Sequence, residues 1–309
     1  MISFVLPAYK ARFLSSAIES ILAQTSNNWE LVIVDDHSPE DLKVIVDCYH
    51  DDRVRYYRNA QNLGGENLVR QWNYCITLAQ GDWIVLAADD DVYAPTFCEE
   101  CEKLMAKYPQ VDLIRSRVLQ IDEESNPLWE DGVLSEFTNK YEYLYDWITA
   151  KAFTCIGNFM FRRSALMAMG GFMDFPCAFG SDIATPIALS VNGVANTSEM
   201  LFSFRQSTQH LSADKSRFKE KLAGITQLSQ WLRNLKYETP EDDKDRAFCS
   251  VMTPRYLHDK CVYDYFNLVI RFLPWNKLRE YLPLCTLANP MDRLMMVMRW
   301  VKRRVTARS

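Results

Sequence analysis

Short apolar runs recur through the first 118 residues, and each is followed by a stretch with helical spacing. Ser3–Leu6, Leu31–Val34, Val54–Tyr57, Trp83–Ala87 and Val111–Val118 read as strands. Phe13–Ala23, Asp41–Tyr49, Glu66–Leu78 and the stretch from Pro95 to about Lys107 read as helices, with Leu14, Ile18 and Ile21–Leu22 marking the apolar side of the first. Strands that are apolar throughout, rather than alternating, are covered on both faces. Their alternation with helices predicts an α/β architecture, a mostly parallel sheet flanked by helices. From about Phe153 to Ser212 the pattern is mixed, with short strands, Gly170–Gly171 and a helix near Ile183–Val191. Beyond Ser212 the chain reads as almost wholly helical, broken at Pro240, Pro254, Pro274, Pro283 and Pro290. The expected organisation is an α/β domain over 1–212 and a helical C-terminal extension over 213–309.

Two acidic clusters fall where strands end. Asp35 and Asp36 close the second strand, and Asp89, Asp90 and Asp91 follow the fourth. Open α/β sheets bind ligands at the carboxyl ends of their strands. Three adjacent carboxylates are costly to bury unless something positive joins them. A divalent metal with a diphosphate would meet that need, because hard cations take oxygen ligands and offset charge on a departing diphosphate. Each cluster alone also reads as an exposed loop or a helix cap. Two clusters at two strand ends describe one shared crevice better than two unrelated caps.

Other classes are excluded or weakened by composition. The formal net charge of -5 gives no case for nucleic-acid binding. Nine scattered cysteines suit reduced thiols. Cys98 and Cys101 form a C-x-x-C without a second Cys or His pair at zinc spacing, so they read as two thiols on one helix face. No basic region precedes the apolar Met1–Leu6, and no stretch approaches the about 18 apolar residues of a spanning helix, so a cytoplasmic setting is expected. Neither a P-loop nor a G-x-G-x-x-G is present, which argues against a P-loop enzyme or a dinucleotide-dependent oxidoreductase. A sugar nucleotidyltransferase would also pair such a sheet with metal carboxylates, but no Gly-rich phosphate loop opens the chain.

Six ordered segments resemble the inverting family 2 glycosyltransferases, whose fold is the Rossmann-like GT-A fold. They are Ser3-Phe-Val-Leu-Pro-Ala-Tyr9 with Ala17-Ile-Glu-Ser-Ile-Leu-Ala-Gln-Thr25, Trp29-Glu-Leu-Val-Ile-Val-Asp-Asp-His-Ser38, Arg53-Val-Arg-Tyr-Tyr57, Asn62-Leu-Gly64, Ala79-Gln-Gly-Asp82 and Ala88-Asp-Asp-Asp-Val-Tyr-Ala-Pro95. The resemblance implies a donor-binding half over about 1–118 and an acceptor half over about 119–212. It implies that Pro7 and Tyr9 cradle the nucleotide base, that Asp36 meets the base with Asp35 beside it, and that the stretch before Pro95 is the D-x-D motif. Asp90 then matches the metal ligand and Asp89 its partner at the donor, with Asp91 compensating for Ala88, where an aspartate often begins the motif. Asp182, in Phe179-Gly-Ser-Asp-Ile183, falls where the family keeps its catalytic base, although Ser181 replaces a common glutamate; it also reads as a helix cap. Arg205 and His210 resemble the family's closing segment, Arg205 toward the diphosphate and His210 toward the metal, and His210 reads equally as a structural histidine.

The implied donor is a nucleoside-diphosphate sugar, with UDP favoured and Mn²⁺ or Mg²⁺ as the metal. The implied acceptor is a hydroxyl of a glycan or polyprenyl-linked molecule in surface polysaccharide synthesis. A non-catalytic scaffold that keeps the fold is the alternative that Ala88 and Ser181 leave open. At the C-terminus, Arg293 to Ser309 holds six basic residues and no acidic one, together with Leu294, Met295, Met296, Val297, Met298, Trp300 and Val301. Such a helix suits peripheral contact with an anionic membrane face, with Trp300 at the interface; it suits equally a helix docked on the protein with its basic side in water.

Overall fold

The computed structural model describes residues 1–207, 214–235 and 238–306. The chain divides into two compact units, Met1–Asp174 with Ser181–His210, and Phe175–Gly180 with Leu211–Ser309. The first contains β1 (Ile2–Ala8), α1 (Leu14–Leu22), β2 (Trp29–Asp35), α2 (Leu42–Val46), β3 (Val54–Arg58), α3 (Leu68–Thr77), β4 (Trp83–Leu86), β5 (Val92–Tyr93) and α4 (Phe97–Lys107). It continues with β6 (Leu113–Ile121), β7 (Pro127–Glu130), β8 (Phe137–Thr138), α5 (Lys140–Ile148), β9 (Phe159–Arg162), α6 (Arg163–Ala168), α7 (Ser181–Leu189) and β10 (Val194–Arg205).

The strands form one ten-stranded sheet in the order β3-β2-β1-β4-β9-β6-β10-β5, with β7 on β6 and β8 on β10. Its first four strands are parallel, as expected from their unbroken apolar character. β9 enters antiparallel to both β4 and β6, and β10 then resumes the parallel direction beside β6. The sheet is therefore mixed. An apolar strand such as Phe159–Phe161 fits a doubly covered position in either direction, so its composition carries no direction. β10 is longer than the short strands expected there, and the irregular pairing between Asn196 and Phe202 lets it bend around its partner.

α1 buries Leu14, Ala17, Ile18 and Ile21. Phe4, Tyr93, Phe97 and Phe202 meet in one aromatic cluster, with Tyr93 at 4.9 to 5.2 Å from the other three ring centroids. That packing seats β5, immediately after the acidic triplet, on rigid core. Cys98 and Cys101 lie buried on one side of α4 as free thiols, and burial pushes both thiols up, away from reactivity. Trp72 packs edge-on against Phe172 at 5.8 Å.

The second unit contains α8 (Phe218–Asn234), α9 (Asp243–Cys249), α10 (Pro254–Leu268), α11 (Trp275–Tyr281) and α12 (Pro290–Thr306). Leu222, Ile225, Tyr265, Phe266, Ile270 and Met296 are among its core residues. Pro254 and Pro290 do not interrupt helices but begin them, where a missing N–H and a fixed φ do no harm. No helix among the described residues is long and apolar enough to cross a membrane.

The amino ends of the parallel strands are tied by one buried carboxylate. Glu30 accepts from Ser3 Oγ at 2.6 Å, from the Gln80 amide at 2.6 Å and from Arg55 at 2.5 Å. Gly81 crosses so close that a Cβ there would lie 2.5 Å from the Met1 carbonyl. Burial pushes the Glu30 carboxyl up, but Ser3, Gln80 and Arg55 together outweigh it and hold it below its ordinary value. A depressed carboxyl stabilises the fold above its unfolded value and loses that contribution as pH falls through the folded one. Glu30→Gln should therefore lower stability by about 1–3 kcal/mol at pH 7. It should also flatten the wild-type loss of stability below the ordinary value of 4.5. Urea midpoints across pH check this, and equal acid sensitivity in both proteins would refute it.

Candidate active site

The carboxyl ends of β1, β2 and β4 converge because these strands are parallel neighbours, Ala8 standing beside Asp35 in the register. At the end of β2 the chain passes through His37 in the left-handed region (φ 56°), which turns the Ser38 amide back onto Asp35 Oδ1 at 2.7 Å. Asp35 is fully buried and also accepts from Tyr56 Oη at 2.6 Å and from Arg58. Burial and the Asp35 bond push the Tyr56 phenol up to about 12. Asp36 accepts from Asn59 Nδ2 at 2.7 Å, the Leu63 amide at 2.9 Å and the Gly64 amide at 2.7 Å. A Cβ at Gly64 would lie 2.9 Å from Asp36 Oδ2, so this clasp requires glycine.

The triplet after β4 is held from both sides. Asp89 Oδ2 accepts the Tyr9 and Lys10 amides at 2.9 and 2.8 Å, which fixes the loop after β1 to the acidic loop. Pro7 ends this loop's strand half-buried, and Tyr9 presents its ring to solvent. On the other side the Arg205 amide donates to Asp91 Oδ1 at 2.9 Å. The buried Arg205 guanidinium donates to the carbonyls of Asp90, Asp122 and Glu123 and to Ser125 Oγ, at 2.9 to 3.1 Å. Arg205 thus braces the acidic loop against the turn after β6.

Burial, reinforced by the charge of Asp90, raises the carboxyls of both Asp89 and Asp91, Asp91 strongly. A loop that resists full ionisation by itself has the electrostatics of a cation site, and its donors are the hard oxygens that Mn²⁺ or Mg²⁺ prefer. Among the described residues no group of three or more His, Cys, Asp or Glu side chains is already arranged to hold an ion. The carboxylates fit a metal that also draws ligands from a diphosphate. His210 lies outside the described residues.

Asp182 occupies the first turn of α7. The thiol of Cys155, half-buried, is raised first by burial and then by the charges of Asp91 and Asp182. The segment carrying Cys155 is tightly held. Phe153 donates its amide to Asp131 Oδ1 at 3.1 Å, and its carbonyl accepts from Arg115 at 2.9 Å. Arg115 and Asp131 pair with no exposure of either side chain. Asn158 Nδ2 reaches the Ser116 carbonyl at 2.8 Å, and Tyr93 Oη reaches the Gly157 carbonyl at 2.9 Å. Sequence reasoning missed Asn59, Cys155 and the Arg115–Asp131 pair. Arg115 stood in the sequence beside Ser116 and Arg117 in a strand flanked by apolar residues, and nothing local marked it as the one that would be buried with a partner.

With this geometry the comparisons with known proteins become specific. Residues 3–170 match the family model described as Glycosyl transferase family 2, over half of the 309-residue chain. The chain belongs to glycosyl transferase family 2. It is similar to protein CgeD of Bacillus subtilis, 28% identical over 185 residues, which cover 56% of this chain and 42% of that protein. It is 40% identical over 98 residues, 31% of this chain and 34% of the relative, to an Escherichia coli protein provisionally named colanic acid biosynthesis glycosyl transferase WcaA. The chain spans about two-fifths of the length of the first three curated relatives, 42%, 37% and 44%. Among solved structures, S. aureus TarS 1-349 in complex with UDP-GlcNAc matches 92% of this chain and 79% of its own at a TM-score of 0.71 and 13% identity. The mannosyltransferase PcManGT of Pyrobaculum calidifontis, in complex with GDP-Man and Mn²⁺, matches 98% of this chain and 80% of its own at a TM-score of 0.58 and 15% identity. The family 2 chain thus has the GT-A fold, with a mixed sheet and a helical C-terminal region.

The brace at Arg205 is open to test. Lysine offers one nitrogen in place of a planar fork and cannot serve the same acceptors together. Arg205→Lys should lower stability by about 2–3 kcal/mol, as buried hydrogen bonds from a charged donor are lost. Chemical denaturation measures this, and a change within 0.5 kcal/mol (about the scatter of neutral surface substitutions) would show the brace to be dispensable.

Proposed function

We propose that the chain transfers a sugar from a nucleoside-diphosphate donor to an acceptor hydroxyl, with inversion at the anomeric carbon and with a divalent metal at the acidic loop. The observation that carries this reading is the acidic loop at the carboxyl ends of β1 and β4, where the Tyr9 and Lys10 amides hold Asp89 and the Arg205 amide holds Asp91. UDP-GlcNAc and GDP-Man with Mn²⁺ in the two structural neighbours support a nucleotide-sugar donor. The acceptor we favour is a glycan or lipid-linked hydroxyl in surface polysaccharide synthesis, in keeping with the name of the colanic acid relative. We assign residues 1–212 to catalysis.

In this mechanism Pro7, Tyr9, Asp35 and Asp36 shape the nucleotide pocket, Asp36 acting through the Leu63 and Gly64 amides that it holds. Asp89 fixes the loop after β1, and Arg205 keeps Asp90 and Asp91 presented to the diphosphate. Asp90 and Asp91, with His210, are the residues that would hold the metal, which would supply Lewis-acid stabilisation of the charge on the departing diphosphate. Asp182 accepts the proton of the acceptor hydroxyl, whose oxygen attacks the anomeric carbon. The bond from that carbon to the diphosphate oxygen breaks, and the nucleoside diphosphate leaves with the electron pair.

Binding and turnover of UDP-, GDP- and dTDP-sugars, with and without Mn²⁺ or Mg²⁺, test the reading. One nucleoside diphosphate should bind in a metal-dependent way, and Asp90→Ala should abolish that binding. Asp182→Asn should keep donor affinity while lowering turnover by about 10²–10⁴-fold, the scale of general base catalysis. Near-normal turnover in Asp182→Asn would remove it as the base. Failure of every donor to bind would favour the scaffold reading, for which Ala88 at the head of the triplet is the sequence feature.

A further inference from the structure

The C-terminal helix α12 has two apolar sides, and the second unit covers one. On the covered side Met296 is buried, Trp300 Nε1 donates to the Leu273 carbonyl at 2.9 Å, and Asp292 meets His258 at 2.9 Å. Arg293 and Arg304 also turn to backbone carbonyls there. Trp300, expected at a membrane interface, therefore faces the unit's own core.

The other side carries Met291, Leu294, Met295, Met298, Val301 and Val305, each between 40% and 65% exposed. Steps of three and four residues align them in one stripe. No acidic residue follows Asp292 in this helix, and Arg299, Lys302 and Arg303 are exposed, Lys302 within the stripe, Arg299 on its flank and Arg303 turned toward the Met296 side. No ion pair to these three is present among the described residues. Water alone gives no reason for an apolar stripe of this length beside unneutralised cations.

We propose that this stripe lies on an anionic lipid surface, the apolar side chains entering the acyl boundary and Arg299 and Lys302 meeting headgroup phosphates. A helix lying in the interface plane needs a continuous apolar stripe and basic flanks, and a rigid docked helix presents both without an ordering penalty. A second copy of the chain fits less well, because pairing two such stripes would bring like charges together. Membrane contact of this kind is independent of the transfer chemistry, and donor binding reports on the latter separately.

The full chain is sedimented with vesicles of phosphatidylcholine alone and of phosphatidylcholine with phosphatidylglycerol. Binding is expected only to the phosphatidylglycerol vesicles, and it should weaken as salt rises. Met298→Glu with Val301→Glu should abolish binding while helicity and donor affinity stay at wild-type levels. Arg299→Gln and Lys302→Gln should each weaken binding by about fivefold, the worth of one cation near an anionic surface. Equal binding to both vesicle types, no binding to either, or undiminished binding by the glutamate variant would each overturn the proposal. So would a dimer in sedimentation equilibrium that the glutamate substitutions dissolve, since that would assign the stripe to a second copy.

Discussion

The guanidinium of Arg205 is the contact on which the candidate site depends. It lies at the end of β10, buried, and bonds to the carbonyl of Asp90 while its own amide holds Asp91. Its remaining donors go to the turn at 122–125, so the acidic loop and that turn share one brace. Neither partner tolerates burial alone. A buried arginine without acceptors, or a buried triplet of aspartates without donors, would be strongly destabilising. Burial first, and then the charge of Asp90, raises Asp89 and Asp91 against the opposing pull of Lys10 on Asp89 and of Arg205 on Asp91.

The same sheet buries a carboxylate at its other end with the opposite result. Glu30 finds a hydroxyl, an amide and the Arg55 guanidinium, and its carboxyl is held low. The contrast separates two uses of one chemical group. At the amino ends of the strands the charge is matched inside the protein, which closes the edge and leaves nothing for a ligand to supply. At the carboxyl ends the charge is under-matched, which leaves a place where an external cation gains most. Parallel strand direction is what sorts these two environments to opposite edges, since all four strands present their carboxyl ends together.

The sequence showed the parallel half of the sheet and both acidic clusters, because these rest on local signals: apolar runs, turn residues and acids at strand ends. It did not show β9, whose apolar residues serve either strand direction, nor the length of β10. Arg115 and Asp131 were illegible as a pair because their meeting depends on how β6 and the loop before α5 pass each other. Cys155 carries no pattern of its own, and the charges that act on its thiol, Asp91 and Asp182, are distant from it in sequence. The family match covers residues 3–170 and so does not extend to Asp182 or Arg205.

The C-terminal helix shows a further limit of periodicity. A helix with apolar residues on opposite sides reads as one to be buried all round. Here Met296 and Trp300 are covered, whereas Met298 and Val301 are not. Only tertiary packing decides which side a core takes, and it took the side bearing the tryptophan, the residue that composition alone would assign to a lipid interface. The covered side accounts for the helix's place in the second unit. The uncovered stripe is surplus to that packing, and its apolar length beside the exposed Arg299 and Lys302 is best explained by an anionic, partly apolar surface outside the chain.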